Sequence, residues 1–95
     1  MGGWVYIMTN RPFGTLNIGV TSELARRVYQ HRNGEGSKFC RKHGLVRLVY
    51  AEPHATIEQA IAREKAMKAW RRIWKLRRIV EANPCWDDLY DTFNA

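Results

Sequence analysis

Two short bulky runs, Trp4 to Met8 and Leu16 to Val20, flank Asn10-Arg11-Pro12-Phe13-Gly14, a cluster of turn-forming residues. Bulky runs separated by such a cluster signal an antiparallel hairpin, and few other arrangements satisfy both halves of the pattern. Strand alternation then puts Trp4, Tyr6 and Met8 on one face of the first strand. Leu16, Ile18 and Val20 share a face of the second, which leaves Asn17 and Gly19 on the other. At 95 residues the chain can bury a modest core without a covalent staple, so a single domain over residues 1–95 is expected.

After the hairpin, Ser22 is a reasonable cap for a helix from Glu23 to about Arg32, with Leu24 and Val28 one turn apart and Asn33-Gly34 as its end. A basic loop is expected over Lys38 to Gly44, then a third strand from Val46 to Ala51 closed by Pro53. Thr56 and Gln59 make a capping box, and Ile57, Ala60, Ile61 and Met67 recur at helical spacing through a stretch without Gly or Pro. This helix is predicted to reach about Arg72. A second helical piece runs through Leu76, Ile79 and Val80 to Asn83-Pro84, and Trp86 to Tyr90 supplies one last turn. The order of elements predicts an α/β (α+β) fold: a three-stranded, largely antiparallel sheet flanked by helices.

Sixteen Lys plus Arg against nine Asp plus Glu give a net charge of +7, so polyanions are the natural partners. The basic residues are interleaved with aromatics along several elements and form no terminal polybasic arm, which favours nucleic acid over a membrane surface. No apolar run approaches the roughly 20 residues that span a bilayer. Met1-Gly2-Gly3-Trp4 has neither the basic flank nor the apolar stretch of a signal peptide. Cys40 and Cys85 are too few and too isolated for a zinc site and are expected as free thiols, so the cytoplasm is the expected compartment.

Glu64 falls on the helical wheel between Ala60 and Ile61 and close under Ile57, inside the stripe that the helix should bury. A carboxylate there needs a partner. An ion pair with Lys68 one turn on is the plain explanation, and a site for Mg²⁺, which takes oxygen donors and keeps several waters, is the chemical one. In the first helix Leu24, Arg27, Val28 and His31 share a face. Arg27 and His31 either lie at the rim of the stripe with their heads in water or do chemistry: a guanidinium neutralises a phosphate, and an imidazole relays protons near neutral pH. Tyr6 alone reads as a core aromatic. To act as a base it needs cations or hydrogen bonds that lower its pKa from about 10, and Arg27 and His31 are the groups able to supply them.

Val5-Tyr6-Ile7, a nine-residue gap and Asn17-Ile18-Gly19 resemble the paired tripeptides of the GIY-YIG nuclease superfamily. The context extends the likeness: Gly14 to Ser22 leads into Leu24-Ala25-Arg26-Arg27, and His31 follows at the family's spacing. Ala60-Ile61-Ala62-Arg63-Glu64-Lys65, Lys68-Ala69-Trp70-Arg71-Arg72 and Asn83 to Tyr90 resemble the small bacterial members almost to the end of the chain. The resemblance implies a metal-dependent endonuclease that cuts phosphodiester bonds in nucleic acid, DNA ahead of RNA. It implies that Tyr6 helps activate the attacking water, Arg27 stabilises phosphate charge, His31 assists proton transfer and Glu64 holds Mg²⁺ or Mn²⁺. Asn83 matches a polar position near the family's site.

The second tripeptide departs from the pattern at Asn17, where the family usually has Tyr. An amide orients water but is no base at neutral pH. Asn17 therefore keeps open a nucleic-acid-binding module without turnover, and the charge alone keeps open a basic interaction domain. Lys38, Arg41, Lys42, Lys68, Arg71 and Arg72, with Lys75, Arg77 and Arg78 behind them, are candidates for phosphate contacts; each taken singly reads as solvated surface charge. The enzyme reading requires Tyr6, Arg27, His31 and Glu64 to meet in one cleft.

Overall fold

The computed structural model describes residues 2–94. Along the chain run β1 (Gly3–Thr9), β2 (Leu16–Thr21), α1 (Leu24–Arg32), α2 (Lys38–His43), β3 (Arg47–His54), α3 (Ile57–Lys68), α4 (Arg72–Ala82) and α5 (Tyr90–Asn94). The strands form one antiparallel sheet in the order β2-β1-β3. The fold class is the expected one, an α+β sheet with flanking helices.

β1 is the central strand, and both of its faces are covered. Val5 and Ile7 pack with Ile18, Val49, Ala60 and Met67 and with Ile79 of α4, so α3 and α4 close one side. Tyr6 and Met8 pack on the other with Leu24 and Val28 of α1, Cys40 of α2 and Leu48, flanked by Tyr90 and Phe93 of α5. Burial on two sides explains why β1 is bulky at every position from Trp4 to Met8 instead of alternating with polar residues. Among the described residues no helix is long and apolar enough to cross a membrane.

Several boundaries differ from expectation, each for a physical reason. The cap of α1 is Glu23, whose side chain makes no capping bond; Ser22 is not used, and Thr21 Oγ1 instead accepts from Glu23 N at 3.0 Å. The expected basic loop is helical over Lys38–His43. Ser37 accepts from Cys40 N, and Gly44 ends the turn in the left-handed conformation at φ 64°. Pro53 does not close β3 but lies within it, opposite Trp4, tolerated because β3 is an edge strand.

α3 stops at Lys68, short of Arg72. A straight helix from Ile57 through Ala82 would be about 39 Å long, whereas the longest dimension of the molecule is 30 Å. The chain turns at Ala69 to Arg71, where Ala69 N and Trp70 N donate to the carbonyls of Ala66 and Met67, and α4 returns across the sheet.

The segment from Trp86 forms no helical turn before Tyr90. Trp86 takes φ 55° and is buried in the core, held by Asn83. Asn83 Nδ2 donates to Val49 O at 3.1 Å and to Asp87 O at 2.9 Å, while its Oδ1 accepts from Asp87 N at 3.1 Å. Removing that amide leaves a buried carbonyl of β3 without its donor and loosens the turn that delivers Trp86. Asn83→Ala should cost about 2 kcal/mol, read as a melting temperature roughly 10 °C lower in thermal denaturation.

Candidate active site

The pairing of Tyr6 with Gly19 fixes where the phenol goes. A Cβ on Gly19 would overlap Tyr6 Cζ and Oη, so the ring lies flat across β2 through the gap that glycine leaves. Because β2 is an edge strand, this carries the hydroxyl out to the free side of the sheet. There α1 meets it. Leu24 and Val28 anchor that helix in the core, and Arg27 and His31, one turn apart, project beside them. Tyr6 Oη lies 3.0 Å from His31 Nε2 and accepts from Arg27 Nε at 3.3 Å. His31 is itself buried, and its seat is shaped by Gly36, whose Cβ would overlap the imidazole at Nδ1.

Burial sets the charge state of this pair. The loss of hydration pushes the Tyr6 phenol above its usual 10.0, and the hydrogen bond and charge of Arg27 pull it back without reversing the shift. The expectation that Arg27 and His31 would lower the Tyr6 pKa is therefore corrected: desolvation wins. The same loss of hydration, reinforced by the Arg27 charge, holds His31 below its usual 6.5. Both groups are neutral at neutral pH. Arg27 Nε can only donate, so the Tyr6 oxygen accepts from it while its O–H remains free to donate to a neutral His31. His31 Nδ1 has no hydrogen-bond partner among the described residues.

Glu64 enters from the other side of the sheet. α3 buries Ala60 and Met67, while Ile61, expected in the same stripe, is 38% exposed at its rim. The buried stripe is Ile57, Ala60, Glu64 and Met67, and its position beside β2 carries the carboxylate to the strand's edge. The Glu64 side chain is 12% exposed, and Lys68 Nζ approaches its Oε2 at 2.9 Å. Thus the plain reading, an i,i+4 pair, is present within a cleft of about 220 Å³ that Glu64 shares with Tyr6, Asn17, Arg27, His31 and Lys68.

A largely buried carboxylate answered only by one flexible ammonium is a place where a cation already stands in. No cluster of three or more His, Cys, Asp or Glu able to enclose a metal occurs among the described residues. The donor set fits a hard ion that keeps most of its water, as Mg²⁺ does when one or two carboxylates are available, and does not fit a fully ligated ion such as structural zinc.

Of the residues singled out in the sequence, Tyr6, Asn17, Arg27, His31, Glu64 and Lys68 line this one cleft. Asn83 does not. Its amide is used entirely by the backbone of Val49 and Asp87, so the expected site residue is a clasp for the core. Lys38, Arg41 and Lys42 are exposed on α2, and Arg71 is exposed at the cap of α4. Arg72 Nη2 donates to the carbonyls of Phe13 and Gly14, so that residue also braces the hairpin turn. Ser37 lines the cleft and Gly36 seats the imidazole, and neither was anticipated. The signal for Ser37 was its capping position ahead of α2.

Residues 2–89 match the family described as the GIY-YIG catalytic domain. A UPF0213 protein of Staphylococcus epidermidis is 37% identical over 68 residues, covering 72% of this chain and 83% of the relative. One from Staphylococcus saprophyticus is 33% identical over 78 residues, covering 82% of this chain and 94% of its own length. The solution NMR structure of a UPF0213 protein from Bacillus halodurans superposes with a TM-score of 0.58 at 27% identity, covering 93% of both chains. With its sheet order, its tyrosine laid over the glycine of the second tripeptide and a match over nearly its whole length, the chain belongs to the GIY-YIG family, whose domain is that of a nuclease.

Proposed function

We propose that the protein is a metal-dependent endonuclease that hydrolyses phosphodiester bonds in nucleic acid, with Mg²⁺ or Mn²⁺ as its ion, DNA ahead of RNA as its substrate and the cytoplasm as its compartment. The observation that carries this reading is the meeting of Tyr6, Arg27, His31 and Glu64 at the edge of β2.

The chemistry follows from the hydrogen-bond directions. A water placed against Tyr6 Oη loses its proton to the phenol oxygen as the phenol passes its own proton to His31 Nε2. The neutral state of His31 is what allows it to receive one. Asn17, on the same face of β2 as Gly19, orients that water without taking its proton. Arg27 lies beside the nucleophile and faces the non-bridging phosphate oxygens, where negative charge accumulates as the water oxygen bonds to phosphorus and the sugar oxygen leaves. Glu64 is the residue that would hold the ion, and a divalent cation there supplies charge for the scissile phosphate and the departing oxygen. Lys68, released from Glu64, is then free to meet phosphate.

The second reading, a binding module without turnover, is favoured by one observation, the amide at Asn17. Cleavage assays with single-stranded and duplex DNA and with RNA in Mg²⁺ or Mn²⁺ decide between them. Glu64→Ala should lower cutting on the order of 100- to 1,000-fold without weakening nucleic-acid binding, because the change frees Lys68 and leaves the surface more positive. A wild type that cuts nothing, or an equally active Glu64→Ala, ends the enzyme reading.

Gly19→Ala should displace the phenol and cost about 100-fold in rate, while binding in the absence of metal is preserved. Normal cutting by Gly19→Ala would remove Tyr6 from the chemistry.

The pH dependence has a definite sign. A base whose folded pKa is lowered stays neutral down to that lower value, so kcat/KM, which reports the free enzyme, should persist below pH 6.5 and fall only as pH drops through the depressed His31 pKa. In Arg27→Met the neighbouring charge is gone, and the His31 pKa should rise towards 6.5. Imidazole titration by NMR in both proteins checks this; a His31 that titrates at or above 6.5 in the wild type contradicts it.

A further inference from the structure

A second cleft, of about 490 Å³, opens beside the catalytic one. It is lined by Gly14, Thr15 and Leu16, where β2 begins, and by Arg11, Phe13, Arg72 and Lys75. The two clefts lie along the same strand and the same helical corner: Asn17 to Val20 and Lys68 belong to the first, and Arg72 and Lys75 of α4 to the second. At about 3.3 Å per strand residue, Thr15 lies roughly 13 Å from Gly19. That distance spans only a few nucleotides of a nucleic-acid strand.

Two features set this cleft apart. First, its cations are unanswered. No Asp or Glu lines it, whereas Glu64 lies in the first cleft, and Arg11, Arg72 and Lys75 have no carboxylate within salt-bridge distance among the described residues. Second, the turn displays an aromatic ring under backbone strain. Phe13 is 59% exposed at φ 57°, a conformation that bulky residues avoid. Arg72 fixes it there by donating to the carbonyls of Phe13 and Gly14 at 2.8 and 2.7 Å, using one nitrogen and leaving other N–H groups free. The Phe13 ring leans on Trp86 at a centroid distance of 4.9 Å and remains largely open to solvent.

We propose that this cleft is a strand-holding subsite, in which Arg11 and Lys75, with the remaining donors of Arg72, take backbone phosphates while Phe13 stacks on an unpaired base. The inference rests on the nuclease reading and narrows it, because the preferred substrate then carries an unpaired nucleotide within a few positions of the phosphate that is cut.

The test is metal-free binding, measured by fluorescence anisotropy on a single strand, a blunt duplex and a duplex with an overhang over a range of salt. Arg11→Gln/Lys75→Gln should reduce the log-log salt slope on the single strand by about 1.4, two phosphates at about 0.7 each. Phe13→Leu, which still covers Trp86, should bind the single strand and the overhang about tenfold more weakly while the blunt duplex is unaffected. Phe13→Trp, which keeps a stacking face, should bind as the wild type does, and it decides the point if the leucine variant proves unstable by thermal denaturation. An unchanged slope in the double variant, a Phe13→Leu loss equal on duplex and single strand, or a weakened Phe13→Trp overturns the subsite. Cutting in Mg²⁺ is scored separately. A wild type that cuts nothing but shows these binding losses discards hydrolysis and keeps the subsite; a wild type that cuts, with variants that bind normally, discards the subsite alone.

Discussion

The contact between Tyr6 and Gly19 is the constraint on which the site depends. β1 is buried on both faces, so its side chains have no route to solvent except sideways, across a neighbouring strand. Tyr6 takes that route because its partner in the β1–β2 register has no side chain. A slip of β2 by one residue would turn Ile18 or Val20 onto the α1 face opposite the tyrosine and block the phenol's path across the strand. The register is held by the apolar set Leu16, Ile18 and Val20, which must face Val5 and Ile7 beneath α3 and α4. Core packing on one face thus positions the polar group on the other.

Burial has opposite effects on the Tyr6 and His31 pKa values, and a single cause explains both. Desolvation penalises the phenolate and the imidazolium alike, raising one value and lowering the other. The resting pair is neutral, and moving the proton from Tyr6 to His31 would create two charges in a dry place. Arg27 favours the phenolate and opposes the imidazolium. On the proposed reading an arriving phosphate offsets the Arg27 field at His31, so the imidazole gains basicity when the substrate is seated. The pair is then inactive in its absence.

Much of this could be read in the sequence, and the limits have physical origins. The hairpin, the sheet and the face shared by Leu24, Arg27, Val28 and His31 follow from periodicity, which reflects burial directly. Glu64 stood out for the same reason: a carboxylate inside an apolar stripe is a visible anomaly. What stayed hidden depended on tertiary geometry. The break after Lys68 carries no Gly or Pro; it arises because a continuous helix would outgrow the molecule. α2 looked like a basic loop because only Cys40 of its six residues is buried, leaving no period to detect. Asn83 resembled a site residue in sequence, yet its hydrogen bonds are to the backbone of β3 and of the turn that carries Trp86. Spacing gives no hint of which partner an amide will find. The direction of the Tyr6 shift was equally hidden, because neighbouring charges are legible in a sequence and the depth of burial is not.

The outer edge of β2 presents unpaired backbone groups, which in many proteins invite a second sheet. Here that edge is only six residues long, and it is bordered along its length by Arg27, Lys68, Arg72, Lys75 and Arg11. Cations along an exposed edge repel another copy of the same edge, and the same cations attract a phosphate backbone. Only Lys68 in that set has a carboxylate partner among the described residues, and that partner is Glu64, the group proposed to exchange its ammonium for a metal. Protection against edge pairing and attraction for a polyanion therefore require the same charges in the same places. This explains how a chain with a net charge of +7 leaves a strand edge open beside the candidate site.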